Sequence, residues 1–243
     1  MEKQSTFLLA DGGSIPTSPL QFTVRRIPSS QTHEWLLKKH YAHRLPMAIE
    51  HAIGLYDQSM VLQGVCVLGP TAPPVPVTIF GEHHKHIVRE LTRLVVNEGL
   101  CKNILSFFVS KSLVILPKPM CLVSFADSNA GHRGYIYQAA NWIYTGEGGG
   151  ATSIVDANGI PVHNITITDG CTREHITRKA YFAKYGITET DALPKHRYLY
   201  FIGSKRETRK MKDDCLLKSL PYPKGDNKRY DAGYEPPVQG VLV

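Results

Sequence analysis

The most constraining feature of this chain is a pattern that occurs twice between Glu90 and Trp142: an apolar strand-like run, a polar turn, then a helical stretch. Glu90-Leu-Thr-Arg-Leu-Val-Val96 is rich in β-branched and apolar residues, Asn97-Glu98-Gly99 breaks it, and Lys102 to Leu116 reads as a helix ended by Pro117. Met120 to Ala126 is the next strand, Asp127 to Gly134 a polar turn, and Tyr135 to Trp142 a second helix. Two such units in succession predict an α/β fold, a mixed central sheet flanked by helices, because each strand must hide a face beneath a neighbouring layer. In open α/β sheets ligands lie beyond the carboxyl ends of strands, where the next helix offers unpaired amides to an anion. The junction from Asn97 to Asn103 can therefore hold a pyrophosphate. The junction from Asp127 to Gly134 offers Asp127, His132, Arg133 and two glycines, Gly131 and Gly134, which permit close approach to the main chain. A glycine pair is equally the composition of a plain turn.

The flanking sequence extends the alternation. Gln31 to Tyr41 reads as a short helix, and Ala52 to Tyr56 with Val61 to Leu68 as a hairpin closed by Asp57-Gln58-Ser59. Pro70, Pro73, Pro74 and Pro76 break the pattern. Gly146 to Gly150 looks like a linker, Thr152 to Val155 and His163 to Thr168 like a second hairpin around Asn158-Gly159, Arg173 to Tyr185 like one basic amphipathic helix, and Arg197 to Ile202 like a returning strand. One domain of residues 1–243 is expected, its core about 20–145 and 195–203, with an insertion about 146–194 in the C-terminal half and a basic segment 204–243.

No segment approaches the roughly 18 uninterrupted apolar residues that a membrane span requires, and Met1 to Thr6 lead into no secretory apolar stretch. Five scattered cysteines without a C-x-x-C pair argue against a disulfide framework or zinc knuckle, so a reducing cytoplasm is expected. His83-His84-Lys85-His86 invites a metal reading, but adjacent histidines in a loop point apart and a solvated loop is favoured. Lysine and arginine exceed aspartate and glutamate by 28 to 21, and seven of the basic residues lie between Lys195 and Lys212. Basic residues beside Tyr198, Tyr200, Phe201, Tyr222, Tyr230 and Tyr234 suit phosphate contact and base stacking, which makes nucleic acid the expected partner. The candidate contacts are Arg173, Arg178 and Lys179 in the insertion and Lys205, Arg206, Arg209 and Lys210 after it. A solvated charged face explains the same run without DNA.

Combined, these residues resemble the Mom proteins of phage Mu and related phages, which modify adenine in DNA. The resemblance rests on His40-Tyr41, Pro46, Glu90-Leu-Thr-Arg93-Leu94, the stretch from Ser124 through Asp127, Gly131, His132, Gly134, Tyr137 and Asn141 to Tyr144, Lys195-His196-Arg197-Tyr198, and Leu220-Pro-Tyr-Pro-Lys224. It implies a fold related to the GCN5-type acyltransferases and narrows the expected partner to double-stranded DNA. The activity it implies converts the exocyclic amine of adenine to a carbamoylmethyl derivative in the host cytoplasm, protecting phage DNA from restriction. By the same resemblance His40, Tyr41, Asp127 and Tyr137 are the catalytic residues, while the two strand–helix junctions make Asn103, Gly131, His132 and Gly134 the candidates for holding the donor. The acyl-coenzyme A signature of ordinary acyltransferases, Q/R-x-x-G-x-G/A, is absent from Glu98 to Asn103, so acyl-coenzyme A and another acyl or aminoacyl donor both stay open. The resemblance also implies iron, toward which His40 and Asp127 can offer a histidine and a carboxylate. Two readings from other classes remain: an N-acetyltransferase for a small-molecule or protein amine, and a DNA-binding protein without catalysis.

Overall fold

A computed structural model describes residues 16–128, 131–148, 152–160, 162, 164–191 and 193–225. Its centre is a seven-stranded mixed sheet in the order β1-β2-β3-β4-β5-β9-β6. The strands are β1 (Thr23–Arg26), β2 (His51–Tyr56), β3 (Leu62–Gly69), β4 (Val88–Val96), β5 (Met120–Ala126), β6 (Ile143–Gly148) and β9 (Lys195–Ile202). All neighbours are antiparallel except β4 and β5.

Side-chain alternation assigns the helices to faces. Ile53, Leu55, Cys66, Leu68, Leu91, Leu122 and Tyr198 point to one face and meet Ile104, Phe108, Val109 and Leu113 of α3 (Ile104–Val114) and Tyr137 of α4 (Tyr135–Ala139). The other parity faces the opposite way and divides between two helical covers. Val65, Val67 and Val95 pack under Trp35 and Leu36, at the junction of α1 (Ser30–Glu34) with a π-helical turn over Trp35–Lys39. Val88, Cys121, Val123, Leu199 and Phe201 pack under Ile79 and Phe80 of α2 (Pro74–Phe80) and Met211 of α7 (Lys205–Asp213). Each large aliphatic or aromatic side chain removed from water in these layers contributes about 1.5–3 kcal/mol.

Between β6 and β9 the chain makes β7 (Thr152–Val155), α5 (Asn164–Glu174), α6 (Arg178–Tyr185) and β8 (Thr188–Asp191), with β7 pairing β8. Ile167, Tyr181 and Ile187 form a small core of their own. After α7 the chain bonds Leu216 N to Ile79 O, then Leu220 N to Tyr144 O on the outer edge of β6. It continues until the Tyr222 hydroxyl donates to Trp142 O and the Tyr135 hydroxyl to Gly225 O. The segment thus straps one face of the sheet to the other around β6.

Several sequence expectations are corrected. The proline run ends β3 at Gly69 as expected, but it also opens a helix: Pro74 and Pro76 sit in the first turn of α2, where a missing N–H costs nothing. The expected linker is β6 as far as Gly148, while Gly149 and Gly150 lie outside the described residues. The second arm of the expected hairpin is α5, whose threonines are accommodated because Thr168 and Thr172 donate to carbonyls four residues back. The single basic helix from Arg173 to Tyr185 is two, interrupted where His175 adopts φ 52°. The helix expected to reach Trp142 ends at Ala139. The basic segment is described only to Gly225, so Tyr230 and Tyr234 lie outside the described residues.

Candidate active site

The site forms where β4 and β5 part. Their parallel ladder runs through Val88, Arg89 and Glu90, opposite Cys121, Leu122 and Val123, and stops there; β4 continues along β3 and β5 along β9. Just past the last pair, Ser124 Oγ lies 2.9 Å from Leu91 O and 2.7 Å from Tyr137 Oη. The serine has one proton and the carbonyl can only accept. When Ser124 serves Leu91, the buried phenol must donate to the serine. A side chain thereby satisfies a backbone carbonyl that a strand neighbour would otherwise take. Burial pushes the Tyr137 phenol well above the usual range. It is a fixed neutral donor here, on the α3–α4 face.

On the opposite face, a bulge at Thr92 puts Leu68 opposite Leu91 and Val67 opposite Arg93, so Glu90 and Arg93 both fall on the same side as His40. His40 terminates the π-helical turn, its amide bonded to Trp35 O at 3.1 Å. Lys39 holds that turn to the end of β4, with Nζ 2.6 Å from Asn97 Oδ1 and 4.0 Å from the centre of the Trp35 ring. The His40 imidazole is buried and accepts the Ala42 amide at Nδ1, which leaves the proton of the neutral ring on Nε2. Burial first, then the charges of Arg93, His43 and His132, push its pKa down to about 3. His40 is thus a neutral hydrogen-bond donor at physiological pH. Its ring centre is 4.4 Å from that of Tyr41, which meets His132 edge-on at 5.6 Å. Tyr41 is 40% exposed, so a flat ring is open to solvent beside a neutral imidazole.

Asp127 follows β5, and its backbone carbonyl accepts the His132 amide at 3.0 Å, closing the turn that carries His132. Its carboxylate pairs with Lys195 at 3.1 Å. Glu90 completes the group. Burial raises its carboxyl to about 7, against the opposing pull of Arg93 and Lys195. His40, Tyr41, Asp127 and His132 are therefore brought together on one face with Glu90 and Arg93, while Tyr137 approaches the split from the other. Glu90 and Arg93 have no assigned role at the level of sequence, although both stand within the motif that resembles the Mom pattern.

Gly131 and Gly134 both have φ 72°. At Gly134 the close approach is made by the protein itself: an added Cβ would run into the Tyr198 ring, whose hydroxyl donates to Arg133 O. Asn103 occupies the start of α3 at φ 65° and makes no side-chain cap, which suits an anionic handle on the donor. Iron does not fit equally well. Among the described residues no three histidine, cysteine, aspartate or glutamate side chains assemble in a way that could hold a metal, His40 Nδ1 accepts an amide, and the Asp127 carboxylate is paired. His84 bonds Asp214 at 2.7 Å.

The expected DNA contacts lie on α5, α6 and α7. Arg173 and Lys179 are exposed on α5 and α6. Arg178 is engaged within its own unit by Asn164 at 2.6 Å, Glu189 at 3.6 Å and the Phe182 ring at 4.8 Å. Lys205, Arg206, Arg209 and Lys210 form an exposed stripe on α7, whose buried Met211 anchors it to the sheet. A capping box between Ser204 and Glu207 starts that helix. No described helix is long and apolar enough to cross a membrane.

No curated protein matches the chain in sequence. In three dimensions it is similar to the spermidine N-acetyltransferase of Vibrio cholerae, solved in complex with CoA and spermine. The identity is 9% and the TM-score 0.41, over 78% of this chain and 99% of that one. It is also similar to a histone acetyltransferase HPA2 and related acetyltransferase from Corynebacterium glutamicum, with 14% identity and a TM-score of 0.32, over 71% of this chain and 76% of that one. The family pattern that matches covers residues 21–224, which include the split, the π-helical turn, the Asp127 turn and the strap, and by it the chain belongs to the Mom protein family.

Proposed function

We propose that this protein transfers an acyl-derived carbamoylmethyl group to the exocyclic amine of adenine in double-stranded DNA, protecting phage DNA from host restriction. The observation that carries the reading is the convergence of His40, Tyr41, Asp127 and His132 with Glu90 on one face of the β4–β5 split, inside the segment that makes the chain a Mom family member.

The adenine amine is a weak nucleophile because its lone pair is delocalised into the ring, so an enzyme must position it and take its proton. As the new N–C bond forms, the bond from carbon to the donor's leaving group breaks and an amine proton departs. A carboxylate titrating near 7 is matched to receiving that proton, and Glu90 is such a group. Neutral His40 donates through Nε2 to a ring nitrogen of the base or to the donor oxygen. The exposed Tyr41 ring offers a stacking surface to an extruded adenine, offsetting part of the few kcal/mol that unstacking costs. Asp127, oriented by Lys195, accepts the second amine hydrogen. An acyl-coenzyme A or related donor would place its phosphates at the uncapped start of α3. For a carbamoylmethyl product the donor carbon that joins the amine, and that loses the leaving group, is the methylene beside the carbonyl, because attack at the carbonyl itself would give an N-acyl amide. The duplex is gripped by the exposed basic residues of α5, α6 and α7.

The test is mass analysis of nucleosides in DNA from cells expressing the chain, alongside Asp127→Ala. A carbamoylmethyl adduct of deoxyadenosine in the wild type and its absence in the variant are expected. Unmodified deoxyadenosine in both, with the protein folded, would refute the reading in favour of an acetyltransferase for other amines or a binding protein.

A further inference from the structure

We infer that Arg44 and Arg93 form a subsite for a phosphoryl oxyanion, and we assign that anion to a backbone phosphate of the acceptor strand beside the reacting adenine. The assignment to DNA rests on the function proposed above; the anion subsite does not.

Arg44 lies in the loop after the π-helical turn and Arg93 on β4 just past the bulge at Thr92. Arg44 Nη1 and Arg93 Nε are both buried, and neither meets a hydrogen-bond acceptor among the described residues. Arg93 Nη1 reaches only its neighbour's carbonyl, Thr92 O, at 2.7 Å. No carboxylate of the described residues forms an ion pair with either guanidinium. Burial depresses Arg93 most, Tyr41 and Glu90 act in the opposite sense, and the charge of Arg44 depresses it further, so the two cations feel each other.

Two like charges held near one another with buried, unmet donors are unfavourable twice over, through repulsion and through desolvation. One shared oxyanion removes both penalties. The planar fork of arginine matches the oxygens of a phosphoryl group, and charge-assisted bonds of this kind are the strong ones. His40, neutral beside Arg93, adds no third cation.

The faces of the sheet separate this subsite from the donor's. Leu94 and Val96 of β4 pack toward α3, whose uncapped start suits the donor's phosphates, whereas Arg93 shares the parity of Val95, which packs under Trp35 and Leu36. An anion at Arg44 and Arg93 thus lies across β4 from the α3 start and on the side of Tyr41, where the base would stack. A phosphate adjoining that base is the oxyanion that both the face and the charge select.

The experiment uses the full chain, three probes at fixed ionic strength, and the variants Arg44→Gln, Arg93→Gln and Arg93→Lys. Inorganic phosphate replacing chloride should raise the unfolding temperature of the wild type and of a control, Arg25→Gln, at an exposed arginine of the edge strand β1. It should do so little or not at all in the two glutamine variants, with Arg93→Lys retaining part of the effect. A single-stranded adenine-containing hexanucleotide should bind each glutamine variant at least tenfold more weakly than the wild type, while deoxyadenosine, which lacks phosphate, should bind wild type and variants alike. In chloride the glutamine variants should unfold no lower than the wild type, because each removes one of two neighbouring like charges together with its buried, unmet donor. An equal phosphate response in all proteins, or none in the wild type, would overturn the subsite. A phosphate response that depends on both arginines, with no binding of the hexanucleotide by the wild type, would uphold the subsite, overturn its assignment to DNA, and leave a free phosphoryl group as its ligand.

Discussion

The Ser124 hydroxyl bridges the place where the sheet opens, and removing it tests whether the bridge organises the site. In Ser124→Ala two buried groups are deprived of their partner at once, the Leu91 carbonyl and the Tyr137 phenol. Each buried polar group left unsatisfied costs about 1–3 kcal/mol, so the substitution should destabilise by roughly 2–4 kcal/mol once the structure relaxes. Tyr137→Phe removes only the phenol, while Ser124 still serves Leu91, and about 1 kcal/mol is expected. In the double variant there is no phenol left to orphan, so Ser124→Ala should cost roughly 1 kcal/mol less in the Tyr137→Phe background than alone. Urea unfolding of the four proteins gives this coupling directly. Additivity within about 0.5 kcal/mol would mean that the two hydroxyls do not form one network, and the account of the split would fail.

Charge supplies the other expectations. Glu90 is raised from 4.5 to about 7, so the folded chain binds its proton more tightly than the unfolded chain. Its contribution to stability is full below about 4.5 and is lost as pH rises through 7, and Glu90→Gln should remove that loss in thermal unfolding measured from about pH 4 to 8. His40 has the opposite sign. Depressed from 6.5 to about 3, it contributes stability above 6.5 that is lost as pH falls toward 3, so the acid limb should persist in Glu90→Gln; a pH profile unchanged by that substitution would show that Glu90 does not titrate in this range. Neutralising Lys205, Arg206, Arg209, Lys210 and Lys212 together should reduce the slope of log affinity for duplex DNA against log salt by roughly 0.9 for every phosphate that the helix had neutralised, with site preference retained. An unchanged slope would make α7 a solvated face.

The strands β2, β3, β4, β5 and β9 are legible in the sequence because their buried runs are apolar and bounded by turn residues. The strand β1 is not, since Thr23-Val-Arg-Arg26 is short and mostly exposed at the sheet edge and shows no apolar alternation. In β6 the glycines hide a strand that is stabilised by pairing with a partner far along the chain, Tyr144 opposite Tyr198. In α5 the alternation of Ile and Thr imitates a strand, and the burial of Ile167 against Tyr181 and Ile187 decides for helix. The candidate site divides in the same way. His40, Tyr41, Asp127 and His132 stand out as polar residues at element ends, which local sequence shows. Glu90 and Arg93 lie within a strand, and their prominence comes from a bulge and from the parting of β4 and β5, both products of tertiary pairing that no local window contains.

The pairing of β7 with β8 bears on how quickly the sheet can close. The strand β9 must insert between β5 and β6, and Gly148 of β6 ends opposite Lys195 of β9, although 46 residues lie between them in the chain. Thr152 opposite Asp191 brings the two ends of that long excursion together. Once the small core of Ile167, Tyr181 and Ile187 has formed, the search for the β6–β9 register becomes that of a short hairpin, and the entropy of closing it falls by roughly 1–2 kcal/mol. Pairings between distant residues ordinarily slow folding. Here an early, local folding event converts a distant pairing into a near one, so shortening the excursion should matter less to the folding rate than loosening its core.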